Sequence, residues 1–260
     1  MRIVTWNVNS VRQRLDHLVR YLREIEPDVV CLQEIKCLDE AFPRMEIESL
    51  GYNVETHGQK TFNGVAILSK RPIEVQRGLP GDEADAQARY IEAVTTDAAG
   101  RVARVASIYL PNGNPAGTEK YAYKLAFMDR LIAHARALLA HEETLVLAGD
   151  YNVIPTALDA KRPDDWLGDA LFLPRTRERF RELVNLGLTD ALRAVTSEAG
   201  VYTFWDYQAG AWQKDNGIRI DHILLTPQAA DRLGACGIDR EIRAREKPSD
   251  HVPVWADIAV

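Results

Sequence analysis

The sequence predicts an α/β fold of one domain spanning residues 1–260, built as a four-layer α/β-sandwich with two mixed β-sheets packed face to face and helices outside. Three observations carry this reading. Short apolar, β-branched runs recur along the whole chain; helical periodicity is confined to a few longer stretches; and the second part of the chain repeats the grammar of the first. Residues 2–6 and 28–33 read as strands, and between them Val11, Leu15, Leu18, Val19 and Leu22 recur at helical spacing before Pro27, which makes a β-α-β unit. Strands follow at 52–56, 64–69, 89–95 and 101–109, parted by turn signals such as Asn63-Gly64 and Ala99-Gly100. An amphipathic helix covers 118–139, and a strand at 145–148 ends at Gly149-Asp150. Beyond a loop-rich stretch at 155–174 come a helix at 175–186 and strands at 203–207, 219–225, 237–243 and 252–258.

Composition excludes several classes. No run of eighteen apolar residues occurs, so no membrane-spanning helix or membrane partner is expected, and the N-terminus enters a strand-like pattern without a cleavable leader. Cys31, Cys37 and Cys236 are odd in number and form no CxxC pair, which points to a reducing, cytoplasmic setting. The formal net charge of −6 by itself argues against a nucleic-acid partner. That argument weakens if the acids gather round a metal while Lys and Arg line a separate rim.

Chemistry enters at the strand exits, where apolar runs repeatedly end in a carboxylate, an amide or an imidazole. Asn7 and Asn9 share one side of the first exit by period 2; they read either as turn asparagines or as site amides. The run Val29–Leu32 leads into Gln33 and Glu34, and a carboxylate at such an edge is costly to desolvate unless paired or ligating a hard cation. Gly149 permits a sharp turn after which Asp150 and Asn152 can aim at one point, as caps or as a base and an amide that hold a water. Ser249-Asp250-His251 reads as turn chemistry or as an imidazole near a phosphate, oriented by Asp221 through its other ring nitrogen.

Taken together, the segments TWNVNS (5–10), DVVCLQEIK (28–36), GVAILSK (64–70), SIYLPNG (107–113), YKLAFMDRL (123–131), LAGDYNV (147–153), FLPRTRERF (172–180), LTDALR (188–193), YTFWDY (202–207), GIRIDHIL (217–224) and KPSDHVPV (247–254) span the chain in order. In this set the chain resembles the exonuclease III family of apurinic/apyrimidinic endonucleases, within the DNase I-like endonuclease/exonuclease/phosphatase superfamily. The resemblance implies a Mg²⁺-dependent DNA repair nuclease, with Mn²⁺ as a substitute. It would cleave the phosphodiester 5′ to abasic sites to leave a 3′-hydroxyl, with 3′–5′ exonuclease and 3′-phosphodiesterase activity. The implied partner is double-stranded DNA with abasic sites or 3′ ends, met by a monomer with no obligate protein partner.

Residue by residue, the resemblance makes Asn7, Glu34 and Asp250 metal-site residues, with Glu34 the principal ligand and Asp150, Asn152 and His251 adjoining the same ion. It implies Asp150 as the water-activating base, Asn152 as its positioning amide, His251 as a phosphate-contacting imidazole supported by Asp221, and Tyr109 as a phosphate-contacting phenol. Asn112 matches a further polar position; Phe204, Trp205, Ile218 and Ile220 match an apolar abasic-site pocket, and Trp212 a DNA-contacting aromatic. Tyr109 stands where secreted DNase I-type enzymes tend to carry histidine, which points to the repair branch. Two departures are visible: Asn9 occupies a place that is aspartate in some members, and Ser10 replaces a common glycine. Arg175, Arg177, Arg179, Arg181, Lys214, Arg240, Arg243, Arg245 and Lys247 are candidates for DNA grip. The competing readings are a superfamily phosphatase or phosphodiesterase acting on inositol phosphates or sphingolipid, and a catalytically silent DNA-binding paralogue.

Overall fold

A computed structural model describes residues 1–97 and 99–259. The elements in chain order are β1 (Arg2–Asn7), α1 (Leu15–Ile25), β2 (Val29–Gln33), α2 (Arg44–Glu48), β3 (Asn53–His57), β4 (Val65–Ser69), β5 (Glu74–Arg77), β6 (Tyr90–Thr96), β7 (Val102–Tyr109) and α3 (Glu119–Leu139). They continue with β8 (Leu145–Asp150), α4 (Pro174–Val184), β9 (Thr189–Asp190), α5 (Ala191–Val195), β10 (Asp221–Leu225), α6 (Pro227–Ala230), β11 (Leu233–Ile238) and β12 (Val254–Ile258). Two six-stranded sheets result, ordered β11-β12-β1-β2-β4-β3 and β5-β6-β7-β8-β10-β9. Each has one parallel pair at its centre, β1 with β2 and β7 with β8, flanked by antiparallel neighbours. The repeated grammar of the sequence is this shared pattern.

Strand alternation sorts the side chains into layers. Ile3, Val29, Cys31, Val65 and Ile67 of the first sheet face Val105, Val146, Ala148, Ile223 and Leu225 of the second, forming the inter-sheet core. The opposite face of the first sheet sends Val4, Trp6, Val30 and Leu32 against Leu18, Tyr21 and Leu22 of α1, which recur at helical spacing. The outer face of the second sheet packs Ala106, Ile108, Leu145 and Leu147 on Phe127, Met128, Leu131 and Ala135 of α3 and on Phe180 and Leu183 of α4. Full burial of each Val, Leu, Ile, Met or Phe among these stabilises the fold by roughly 1.5–3 kcal/mol. The four-layer sandwich is as expected. Among the described residues no helix is long and apolar enough to cross a membrane.

Four local expectations change. Residues 203–207 form no strand: Phe204 makes isolated bridges to Ile218 and His251, both outside the strands, and Thr203 Oγ1 accepts from the main-chain N–H groups of Ile220 and Asp221. The strand expected at 237–243 is β11, placed earlier, because a helical turn at Arg240–Ala244 takes over beyond it. Helix α1 begins at Leu15 rather than at Val11. Gly149 lies inside β8 rather than in a turn, and its missing side chain serves close approach: a Cβ there would sit 2.0 Å from the Ile108 carbonyl oxygen. The short strands β5 and β9 escaped the pattern because one is a polar edge strand and the other has only two residues.

Candidate active site and metal centre

Period 2 carries the inner faces of β1, β7, β8 and β10 out of the core and into polar chemistry at one end of the sandwich. Ile3 and Thr5 lead to Asn7, Val105 and Ser107 to Tyr109, and Val146 and Ala148 to Asp150; Asp221 begins β10 directly opposite Asp150. Beneath them, Thr5 donates to Gln33 Oε1 (3.2 Å), Gln33 Nε2 to Ser107 Oγ (2.9 Å), and Ser107 to the Leu32 carbonyl (3.0 Å). This buried network ties the two sheets together at the floor of the site.

Asn7 Nδ2 donates to both Glu34 Oε1 (2.8 Å) and Asp150 Oδ2 (2.9 Å), so one amide sets two carboxylates. Lys36 Nζ pairs with the other Glu34 oxygen at 2.8 Å and donates to Asn9 Oδ1 at 2.6 Å. His251 Nδ1 lies 2.9 and 3.1 Å from the two Asp221 oxygens, which directs Nε2 toward Asp150 Oδ2, 3.8 Å away. Asp150 Oδ1 accepts from the Asn152 amide N–H (2.9 Å), and the Asn152 side chain is held by the Leu110 carbonyl (2.9 Å) and by Asn112 Nδ2 (3.3 Å). Glu34, Lys36, Asn9, Ser10 and Asn152 all adopt left-handed backbone, φ between 43° and 84°. Such strain in residues other than glycine gathers at functional sites.

Burial and charge shift the ionisations. Burial pushes Asp150 up to about 7, against the help of His251 and Asn7. Burial opposes the charge of His251 too, but Asp221 and Asp150 outweigh it and hold the imidazole up to about 10. Glu34 stays below the ordinary carboxylate range because Lys36 and Asn7 more than offset its burial. Burial, with Glu34 and Asp150 nearby, keeps the Tyr109 phenol well above its usual value and therefore protonated.

Ligand atoms of Glu34, Asp150 and His251 all lie within 4.8 Å of one another, an acidic cluster able to hold a metal ion. The donor set fits a hard divalent cation: the buried Asp150 carboxylate has no ammonium or guanidinium partner among the described residues. These residues open on a cavity of about 340 Å³ lined also by Tyr109, Asn112, Asn114, Asn152, Asp169, Asp206 and Asp250, with the apolar side chains of Trp166, Leu171, Phe204 and Ile220 among them. Asp250 borders this cavity, but its carboxylate accepts from Asn9 Nδ2 (3.1 Å) rather than joining the cluster of three.

A sequence profile described as the Endonuclease/Exonuclease/phosphatase family matches residues 4–251. The chain belongs to that family. Exodeoxyribonuclease III of Haemophilus influenzae is 37% identical over 266 residues, covering 99% of each chain. Among solved structures, an AP endonuclease from Archaeoglobus fulgidus superposes with a TM-score of 0.94 at 37% identity over 100% of both chains. A 3′-phosphatase from Neisseria bound to a product DNA hairpin reaches 0.96, also at 37% identity over 100% of both.

Within this member of the endonuclease/exonuclease/phosphatase family the apolar residues divide. Phe204 and Ile220 line the cavity, whereas Trp205 and Ile218, expected beside them, lie behind it. Trp205 is fully buried against Tyr202, Trp212, Ala211 and Val252 with its indole N–H on Asp215, and Ile218 points into the cluster with Ile154 and Phe172. Trp212 stacks edge-on against Trp205, beneath Arg240 and Arg243. Of the cationic candidates, Arg179, Arg240 and Arg245 are taken up by Asp129, Asp215 and Glu24, Arg243 is buried, and Arg177 lies over Phe172. Arg175, Arg181, Lys214 and Lys247 stay exposed outside any ion pair among the described residues. Sequence reasoning missed Trp166 and Leu171, which sit in the aperiodic stretch 155–174. It also missed Arg89 and Lys120, which border a neighbouring groove with the exposed Phe62.

Proposed function

We propose that this chain is a divalent-metal DNA repair nuclease. It hydrolyses the phosphodiester 5′ to an abasic site, leaving a 3′-hydroxyl, and acts on 3′ ends as an exonuclease and phosphodiesterase. One observation carries the reading: the carboxylates of Glu34 and Asp150 and the imidazole of His251 meet in a cavity that the apolar side chains of Trp166, Leu171, Phe204 and Ile220 also line. A sugar without its base fits against those side chains, whereas a complete nucleotide must unstack and bring in its bulk.

Glu34 and Asp150 would hold Mg²⁺, or Mn²⁺ in its place, with Asn7 fixing both carboxylates and Asp250 bordering the site. When bound, the ion supplies Lewis-acid polarisation of the phosphate and stabilises the leaving oxygen. The chain's own groups do the rest. Asp150 accepts the proton of a water that the Asn152 side-chain oxygen orients toward phosphorus. The protonated Tyr109 phenol and the His251 imidazolium, kept charged by Asp221, donate to the phosphoryl oxygens as negative charge grows on them. Exposed Arg175, Arg181, Lys214 and Lys247 would grip the phosphate backbone, despite a net charge of −6.

A duplex carrying a single abasic site tests this, incubated with and without Mg²⁺. A nick 5′ to the lesion only with metal is expected. Hydrolysis confined to a small phosphate ester, or binding without cleavage, would refute it.

A further inference from the structure

Lys124 lies in the second turn of α3 with no exposed surface, and the hydrolytic scheme gives its ammonium no task. Its Nζ donates to the main-chain carbonyls of Asn152 (2.6 Å) and Asn112 (3.0 Å). Its stem packs under Gly113, where an added Cβ would lie 2.6 Å from Lys124 Cδ. Burial pushes the Lys124 amine down to about 7; burying its polar head costs desolvation unless its donors are well used, and an apolar side chain of similar length would fill the same space without that cost. What the two donated hydrogen bonds add is a link between two loops. The two carbonyls belong to the exits of β7 and β8, neighbours in the parallel pair, and the side-chain amides of both residues border the catalytic cavity. Those amides also touch each other, Asn112 Nδ2 to Asn152 Oδ1 at 3.3 Å, and Asn152 is held in left-handed backbone at φ 48°.

We propose that Lys124 is a positioning residue that clamps the main chain of Asn112 and Asn152, so that their side-chain amides face the reacting phosphate and water in one fixed geometry. This rests on the nucleolytic reading above. A side chain on α3 then sets the alignment of two strand exits, and the helix becomes part of the support of the site.

The test is a double-mutant cycle on the abasic duplex with Mg²⁺. Lys124→Met should lower kcat by about 10²-fold, the loss expected for an ångström-scale misplacement, with KM within about two-fold of wild type. On an Asn112→Ala/Asn152→Ala background the same substitution should cost less than about three-fold, since Lys124 acts through those two amides. Lys124→Gln, which keeps a neutral donor, should recover part of kcat and replaces Met in the cycle if Lys124→Met does not fold. Full, independent loss on the Asn112→Ala/Asn152→Ala background, or a lowered Tm with kcat intact, overturns the clamp. The side-chain amide resonances of Asn112 and Asn152 report on it without turnover: both should shift or broaden in Lys124→Met. Unchanged resonances overturn the clamp, whereas a wild type that leaves the abasic duplex uncut overturns the functional reading instead.

Discussion

Replacing Asp150 by asparagine should make the metal-free protein more stable while removing its activity. The carboxylate is buried, and raising its pKa from 3.8 to about 7 costs the folded state about 4 kcal/mol once the group is ionised in both states, at about 1.4 kcal/mol per pH unit. An amide is neutral and escapes that cost. It cannot, however, accept from both donors that now meet the carboxylate, the Asn152 N–H and Asn7 Nδ2, each at 2.9 Å. One donor left facing the new NH₂ group costs about 1–2 kcal/mol, which leaves a net gain of about 2 kcal/mol. The sign follows from the raised folded pKa: wild type suffers no penalty below pH 4, and the penalty grows as pH rises toward 7. Guanidinium unfolding of Asp150→Asn and wild type in EDTA at pH 5 and pH 8 reads this directly. The mutant should lead by more at pH 8, and turnover on the abasic duplex should fall by at least ~10²-fold. A mutant less stable than wild type at pH 8, or a lead that does not change with pH, would show that burial of the Asp150 carboxylate carries no net cost.

Glu34→Gln should raise the Mg²⁺ concentration needed for half-maximal activity by at least ~10-fold and shrink the rise in Tm that Mg²⁺ gives wild type; an unchanged titration removes Glu34 from the metal. Ser10 has φ 84°, where a side chain costs about 1–2 kcal/mol. Ser10→Gly should therefore stabilise by about 0.5–1 kcal/mol after glycine's entropy cost, and a lower unfolding midpoint would contradict this. Burial opposes the charge of Asp159, but Arg219, Arg193 and Thr156 outweigh it and hold its carboxyl down to about 2. This depressed group contributes about 2 kcal/mol above pH 4, lost as pH falls toward 2. The stability gap between wild type and Asp159→Asn should narrow over that window, and a constant gap would refute the assignment.

Much of the architecture was legible because sheet and helix periods are local properties. Thr5, Cys31, Val105 and Ala148 alternate with residues of the opposite face, and that alternation alone places Asn7, Tyr109 and Asp150 on the inner face of their strands. Where contacts are long-range, local pattern misled. The aromatic run at 202–207 looks like a strand, yet those residues are held by packing: Trp205 turns into a cluster with Trp212 and Val252, while Phe204 turns to the cavity beside His251. Trp166 was invisible for the same reason, since a loop residue in aperiodic sequence carries no sign of the wall it will join.

From its order of residues alone, the chain determined that it would make two similar mixed sheets and that polar groups would emerge at their strand ends, because hydrophobic alternation and breaker residues act over a few positions. Only the tertiary structure decided which of those groups share a cation-sized space, which aromatics face it, and that Lys36 pairs with Glu34 while Lys124 is buried against Asn112 and Asn152. Those facts depend on segments more than a hundred residues apart being brought within hydrogen-bond distance, as Asn7 and Asp150 are at 2.9 Å.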